Sequence, residues 1–398
     1  MKKILSIVFG LAFIVFCSGI ILSSFSKSLD EKIENLYIQK QDALSLITGE
    51  PEKDKGNVWI DLSTRNNEIV VMGSSELSSE VSQNIKYEFP NEAYEGGFSG
   101  LGHAHVQNYI HAMNLGANYD SLKDNNIVLI ESMQWFLGKD INADGFFSNF
   151  SEKQFYEFIQ NEKISYKNKK YLCERFLELE KKSENKNLYP QTHLLAKMCS
   201  SENVAYKVLY QLTKPYYMLD YKLMVLKDKY CIYRYFTSVD GKCEKKVASS
   251  AWKERLNLAS KEGQSKCTNN DLYVCDEYYT NELEPVWTEL KDDMQDTKLE
   301  SKEWKDYEFL LSLCDDLGLK PYIINVSCNG WYYDYRGLDK EKRQESYTRL
   351  SNIANEHDID VYNGLVEKEY EPYVYTDVMH LGWKGWLYVS EAITDYFK

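Results

Sequence analysis

Four short apolar runs, set between long polar and helical stretches, constrain this chain most. They are Glu68–Gly73 (EIVVMG), Asn126–Glu131 (NIVLIE), Pro321–Val326 (PYIINV) and Ile359–Tyr362 (IDVY). The first three are nearly continuous in apolar residues and do not alternate. That pattern suits strands buried on both faces, as in a parallel sheet. Helical periodicity is predicted over 76–86, 102–116, 301–317 and 339–356, and again from about residue 382. Strands alternating with helices imply an α/β fold, with a parallel sheet covered on both sides in three layers. The stretch from about 138 to 300 differs in character. It is rich in Lys, Glu, Tyr and Leu at helical spacing, and reads as a helical insertion.

The N-terminus carries a topological signal. Lys2 and Lys3 precede an uncharged apolar run from Ile4 to Leu22, long enough to cross a hydrocarbon core as one helix. The lysines favour a cytoplasmic N-terminus. A cleaved signal peptide is the alternative, but no A-x-A-like site follows. Bulky Phe16 also precedes Cys17, where lipoprotein processing needs a small residue. The expectation is therefore a cytoplasmic tip and transmembrane anchor over 1–30, with 31–398 outside the cell membrane. Residues 23–57 are polar and read as a stalk or first helix.

A formal net charge of −14 over 398 residues argues against nucleic acid as a partner, which needs a basic footprint. A polyanionic partner would need a local basic patch, and Lys167, Lys169 and Lys170 or Lys245 and Lys246 are candidates. The 32 tyrosines suit surfaces that meet polar ligands or headgroups, and suit a core equally. Of nine cysteines, only Cys17 lies in the apolar run. No C-x-x-C occurs, so zinc-ribbon and thioredoxin-like readings lack support. An exported chain permits disulfides, and buried reduced thiols remain open as well.

Two motifs carry chemistry. Met72-Gly73-Ser74-Ser75-Glu76-Leu77 places two serines where a strand ends and a helix is predicted to begin. In open parallel sheets, ligands bind at that carboxyl edge. Backbone N–H groups there can stabilise an oxyanion. A serine that only caps the helix is the plain alternative. Further on, Tyr375-Thr376-Asp377-Val378-Met379-His380-Leu381-Gly382-Trp383 sets an acid three residues before a histidine. On one turn the two side chains meet. The acid then fixes the imidazole tautomer, and the other ring nitrogen is free to take a serine proton. The glycine-dense Gly96-Gly97-Phe98-Ser99-Gly100 is predicted as a loop whose Gly97 N–H joins an oxyanion hole. In Ser132-Met133-Gln134-Trp135-Phe136, at the end of a strand, Gln134 could supply a side-chain donor.

Together these blocks resemble the SGNH hydrolase superfamily, with its G-D-S, glycine, G-x-N-D and D-x-x-H blocks. Ser75 matches the nucleophile, Gly97 the glycine donor, and Asp377 with His380 the last block. Ser74 stands where the Asp of G-D-S belongs, and Gln134 where the Asn belongs. A closer likeness is to the DltD family of D-alanyl transfer proteins. It rests on Gly73-Ser74-Ser75-Glu76-Leu77, Gln134-Trp135-Phe136, Asn329-Gly330-Trp331-Tyr332-Tyr333-Asp334-Tyr335 and His380-Leu381-Gly382-Trp383-Lys384-Gly385-Trp386.

The resemblance implies an SGNH-hydrolase, flavodoxin-like α/β/α fold. It also implies esterification of lipoteichoic acid with D-alanine outside the membrane, through an acyl group on Ser75. A membrane-bound O-acyltransferase (DltB-like) and a D-alanyl carrier protein pathway are the implied partners, with no metal or cofactor. Trp331 and Tyr333 would line the acceptor groove or pack in the core. An SGNH esterase or thioesterase uses the same triad, and a non-catalytic scaffold with a vestigial site is the non-enzymatic alternative.

Overall fold

The computed structural model describes residues 2–138 and 140–398, with side chains from residue 22 onward. Five parallel strands form its centre: β1 (Glu68–Met72), β2 (Gly97–Leu101), β3 (Ile127–Ser132), β4 (Tyr322–Val326) and β5 (Val361–Tyr362). Their order is β2-β1-β3-β4-β5, the flavodoxin-like doubly wound arrangement. Strand order reverses beside β1, so the segment leaving β1 opens into the crevice where such sheets bind ligands.

Side chains alternate between two cores, as strand geometry requires. Val70, Met72, Leu129 and Ile323 face one core, which is completed by helices Asn108–Ala117 and Glu303–Leu317. Ile69, Val71, Val128, Ile130 and Ile324 face the other, against Trp386, Leu387 and Ile393 of the last helix, Trp383–Phe397. Helices therefore cover both faces, and the fold is α/β with a parallel sheet.

Two sequence expectations are corrected here. The glycine-dense segment at 97–101 is not a loop but strand β2, paired along the whole of β1. Its glycines hid the strand signal. They are needed because Phe98, Thr48 and Glu68 crowd the positions where Cβ atoms of residues 97 and 100 would lie. The helix predicted over 76–86 is instead two short 3₁₀ turns, Ser75–Ser78 and Ile85–Tyr87. Polar side chains here bond to backbone in place of helical partners. Asn84 Nδ2 donates to the carbonyls of Leu77 and Ser79, and Ser79 Oγ donates to that of Leu381. The next helix begins only at Asn108, because residues 102–107 include Gly102 and His105, both with positive φ.

Helix α1 (Lys2–Ser45) leads into the domain. Leu29, Ile33, Tyr37 and Leu44 pack with Trp59 and Leu62, and with Ile232 and Phe236 of the long helix Val204–Ser238. The side chains of the apolar run Ile4–Leu22, where an anchor is expected, lie outside the described residues except for Leu22. Among the described residues, no helix is long and apolar enough to cross a membrane. Between Ser132 and Tyr322 the described residues form helices and turns and no strand. Phe146, Phe155, Phe158 and Phe176 from this stretch share a core with β1 and β3. The eight cysteines from Cys173 to Cys328 are free thiols.

A buried ion pair ties helix Lys340–Glu356 to the loop beyond β5. The Arg343 side chain is fully buried and reaches Glu369, itself 1% exposed, through Nε at 3.0 Å and Nη2 at 3.2 Å. Nη1 also reaches Asp334 at 2.7 Å. Truncating one partner strands a buried charge. Arg343→Ala should therefore lose about 3–5 kcal/mol of stability, read as a lower urea midpoint. Arg65→Ala, at an exposed pair, should cost under about 1 kcal/mol.

Candidate active site

Ser75, Asp377 and His380 lie 302 or more residues apart in sequence across the serine and the acid–base pair, yet the fold joins them in one hydrogen-bonded chain. His380 Nε2 lies 2.9 Å from Ser75 Oγ, and His380 Nδ1 lies 2.7 Å from Asp377 Oδ2. The geometry assigns the Nδ1 proton to the aspartate side, leaving Nε2 as acceptor for the serine hydroxyl. Asp377 does more than face the imidazole. Its Oδ1 also accepts the backbone N–H groups of Met379 at 2.7 Å and His380 at 2.8 Å. One carboxylate thus closes the turn and aims the ring.

The loop that carries the pair is pinned at both ends. Thr376 N–H donates to the His380 carbonyl, Gly382 N–H to that of Val374, and Lys384 N–H to that of Tyr373. A Cβ on Gly382 would stand 2.6 Å from the Tyr375 carbonyl carbon, and one on Gly385 would stand 2.3 Å from the Val374 oxygen. The glycines of H-L-G-W-K-G-W let the last helix press against this loop, while Trp386 is buried in the core beneath. A second brace comes from Cys275, whose N–H donates to the Thr376 carbonyl at 2.8 Å.

Ser74 does not cap a helix with its side chain. Its Oγ donates to the His103 carbonyl at 3.2 Å, and its N–H donates to Glu76 Oε1 at 2.7 Å. Ser74 is therefore a fixed neighbour of Ser75. Glu76 is a site residue that sequence reasoning did not single out. It is 3% exposed, its Oε2 has no hydrogen-bond partner among the described residues, and burial pushes its carboxyl up.

The oxyanion donor assigned to Gly97 is corrected. The register pairs Gly97 with Glu68, at the start of β1, and Leu101 with Met72 at its end. Four residues at about 3.3 Å each put Gly97 roughly 13 Å below the catalytic edge. The glycine at that edge is Gly102. Its φ is +122°, and a Cβ there would lie 1.9 Å from the Gly73 oxygen. The Gly73 N–H in turn donates to the Leu101 carbonyl at 2.9 Å. The signal that could have found it is the Leu101-Gly102-His103 step out of β2.

Gln134 sits half-buried in the 3₁₀ turn Met133–Phe136, directly after β3 and at the same edge as Ser75. Its side chain makes no hydrogen bond among the described residues. Trp331, in the short helix Gly330–Tyr335 beyond β4, is half-buried between Tyr273 and Tyr370, at 4.9 and 5.7 Å between ring centroids. Tyr333 is corrected to a core residue. It is 3% exposed and packs with Met133, Tyr332 and Val378, supporting the acid–base loop from below.

Burial acts to lower the pKa of His380, but the hydrogen bond and charge of Asp377, with the charge of Glu76 behind, outweigh it and raise it above 6.5. A serine base must be neutral, so activity should fall as pH drops through a midpoint above 6.5. The His380 imidazole proton shift followed by NMR should titrate in that range. Asp377→Asn should move the midpoint down, and Glu76→Gln should move it down by less. In a second comparison, Gly102→Ala should abolish activity and cost about 1–3 kcal/mol or more, from strain at positive φ and collision with Gly73. Gly97→Ala, at the far end of the strands, should cost some stability through crowding with Glu68, while the folded protein keeps activity within a few-fold.

A family model described as DltD protein matches residues 49–398. The protein DltD of Bacillus subtilis (strain 168) is 28% identical over 331 residues, which cover 82% of this chain and 82% of that relative. The protein DltD of Staphylococcus aureus (strain NCTC 8325 / PS 47) is 26% identical over 336 residues, covering 82% and 80%. That of Lacticaseibacillus rhamnosus is 21% identical over 353 residues, covering 86% and 81%. The match takes in β1, the acid–base loop and the last helix, and the chain belongs to the DltD family.

Proposed function

We propose that this chain transfers a D-alanyl group to a hydroxyl of lipoteichoic acid through an ester on Ser75, as an acyltransferase of SGNH type. The observation that carries this reading is the unbroken Ser75–His380–Asp377 chain at 2.9 and 2.7 Å, set at the carboxyl edge of a doubly wound sheet. His380 Nε2 takes the proton from Ser75 Oγ as that oxygen attacks the D-alanyl carbonyl of an activated donor. The tetrahedral oxyanion meets the N–H groups of Ser75 and Gly102, with the Gln134 amide beside them. The donor's leaving group departs with the proton held on His380. The imidazole then takes a proton from the acceptor hydroxyl, whose oxygen attacks the Ser75 ester. Collapse returns the proton to Ser75 and releases the D-alanyl ester of the polymer. Asp377 stays ionised throughout and stabilises the imidazolium.

The Lys2–Lys3 flank and the Ile4–Leu22 run support a single membrane anchor over 1–30, with 31–398, including the helical stretch at about 138–300, outside the cell membrane. A membrane-bound O-acyltransferase and the carrier protein pathway are the partners this reading implies. In a reconstituted membrane assay, Ser75→Ala and His380→Ala should each abolish D-alanyl transfer. Asp377→Asn should lower it on the order of 10⁴-fold. Double variants should lose no more than the worse single one, because a triad acts as a unit. Full transfer by Ser75→Ala would sink the covalent mechanism and leave the protein a scaffold.

A further inference from the structure

Within the helical stretch, residues 166–200 fold back on themselves as a hairpin, helix Tyr166–Lys182 against helix Pro190–Ser200. The catalytic site makes no use of it. Two side-chain contacts fix how its antiparallel arms line up. His193 Nδ1 meets Glu180 Oε2 near the turn, and Lys170 Nζ lies 3.2 Å from Glu202 Oε1 at the open end. Between those contacts, each step back along the first arm matches a step forward along the second. Cys173 stands three residues after Lys170, and Cys199 three before Glu202. The register therefore sets the two thiols opposite one another, and their side chains are in hydrogen-bonding contact.

The pair is asymmetric. Cys173 is fully buried, in the core shared with Phe176 and Ala196. Cys199 is half-buried and opens into a surface cavity that Lys169 and Lys207 also line. Burial keeps the Cys173 thiol protonated. Positive charge beside an accessible cysteine favours the thiolate, which is the form that attacks disulfides. A pair kept only for packing needs no route to solvent, and here one of the two sulfurs has it.

We propose that Cys173 and Cys199 form a dithiol site that is oxidised by a small disulfide donor and closes into a bond across the hairpin. The Cys199 thiolate attacks one sulfur of the donor, whose S–S bond breaks. The first donor thiolate leaves and takes up the proton that Cys199 gave. Cys173 then loses its proton and attacks the Cys199 sulfur, and the second donor thiolate leaves with that proton. Two protein thiols are oxidised, and the donor is reduced to two thiols. The bond closes the loop 173–199 and removes freedom from the unfolded chain. It also fixes the arm that carries Arg175, whose Nη2 lies 2.8 Å from Asp306 Oδ2 on helix Glu303–Leu317. The staple thus holds the helical stretch to a helix that covers the sheet. The inference depends neither on the transfer reaction nor on the anchor.

The test incubates the full chain, in detergent, with oxidised glutathione. Remaining thiols are blocked with N-ethylmaleimide under denaturing conditions, and a non-reduced digest is mapped by mass spectrometry. A pair of peptides joined through Cys173 and Cys199 is expected. The Tm should rise by several degrees and fall back when dithiothreitol is added. Cys173→Ala should stop at the intermediate, with one glutathione retained on Cys199. Cys199→Ala should gain neither the bond nor glutathione at Cys173, with D-alanyl transfer unchanged. Should the buried Cys173→Ala fail to fold, the unaltered chain and Cys199→Ala decide the matter. Full alkylation of both cysteines in the treated, unaltered chain overturns the proposal. So does a bond from either of them to another cysteine, or glutathione that persists on Cys199 while Cys173 is present.

Discussion

The Asp377 carboxylate accepts three hydrogen bonds, and the catalytic edge is organised around them. Two come from the backbone of its own turn, and the third from the His380 ring. A neutral amide at this position would keep one oxygen and lose the charge. The turn could persist while the tautomer and the raised basicity of His380 would not. Shape and electrostatics are therefore separable at this residue, because one oxygen holds the backbone and the other holds the ring.

Behind this edge lies a group of buried acids that the reaction does not touch. Asn108 Nδ2 bridges Glu131 Oε2 and Glu303 Oε1 at 3.0 Å each, and Asn108 N–H also donates to Glu303. Burial pushes the carboxyls of Glu131 and Glu303 upward. Taking a lone carboxylate out of water is costly, so a buried acid lacking a cation tends to hold its proton. The charges that act on His380 are those of Asp377 and, behind it, Glu76.

The sheet was legible in sequence wherever strands were built of branched apolar residues. EIVVM, IVLIE and YIINV stood out because burial on both faces leaves no room for alternation. β2, with the sequence GFSGL, did not, because its glycines answer to close neighbours and not to strand propensity. That single misreading moved the proposed oxyanion glycine from the edge to the foot of the sheet. Asp377 and His380 were legible because their contact is local, three residues apart on one turn. Glu76 and Gly102 were not. Their significance comes from burial behind Ser75 and from a near-collision with Gly73, and both depend on how β1 and β2 lie side by side. Tyr333 stayed open between the two roles, since its aromatic run fits a groove and a core equally well until its neighbours are known, and the structure places it in the core.

The position of α1 sets how far Ser75 lies from the N-terminal apolar run. Tyr37, about two turns before its end, donates to Glu68 at the start of β1, at 2.7 Å. Just beyond its end, Thr48 donates to the Leu77 carbonyl, two residues past Ser75. The helix therefore runs alongside β1 and in the same direction. From Leu22 to Ser45 the rise is about 35 Å at 1.5 Å per residue. The catalytic edge thus lies at the end of the domain away from the apolar run. The packing of Leu29, Ile33 and Tyr37 against Trp59 and Phe236 makes α1 part of the domain core, so the offset between Ser75 and the start of this helix is fixed by the fold.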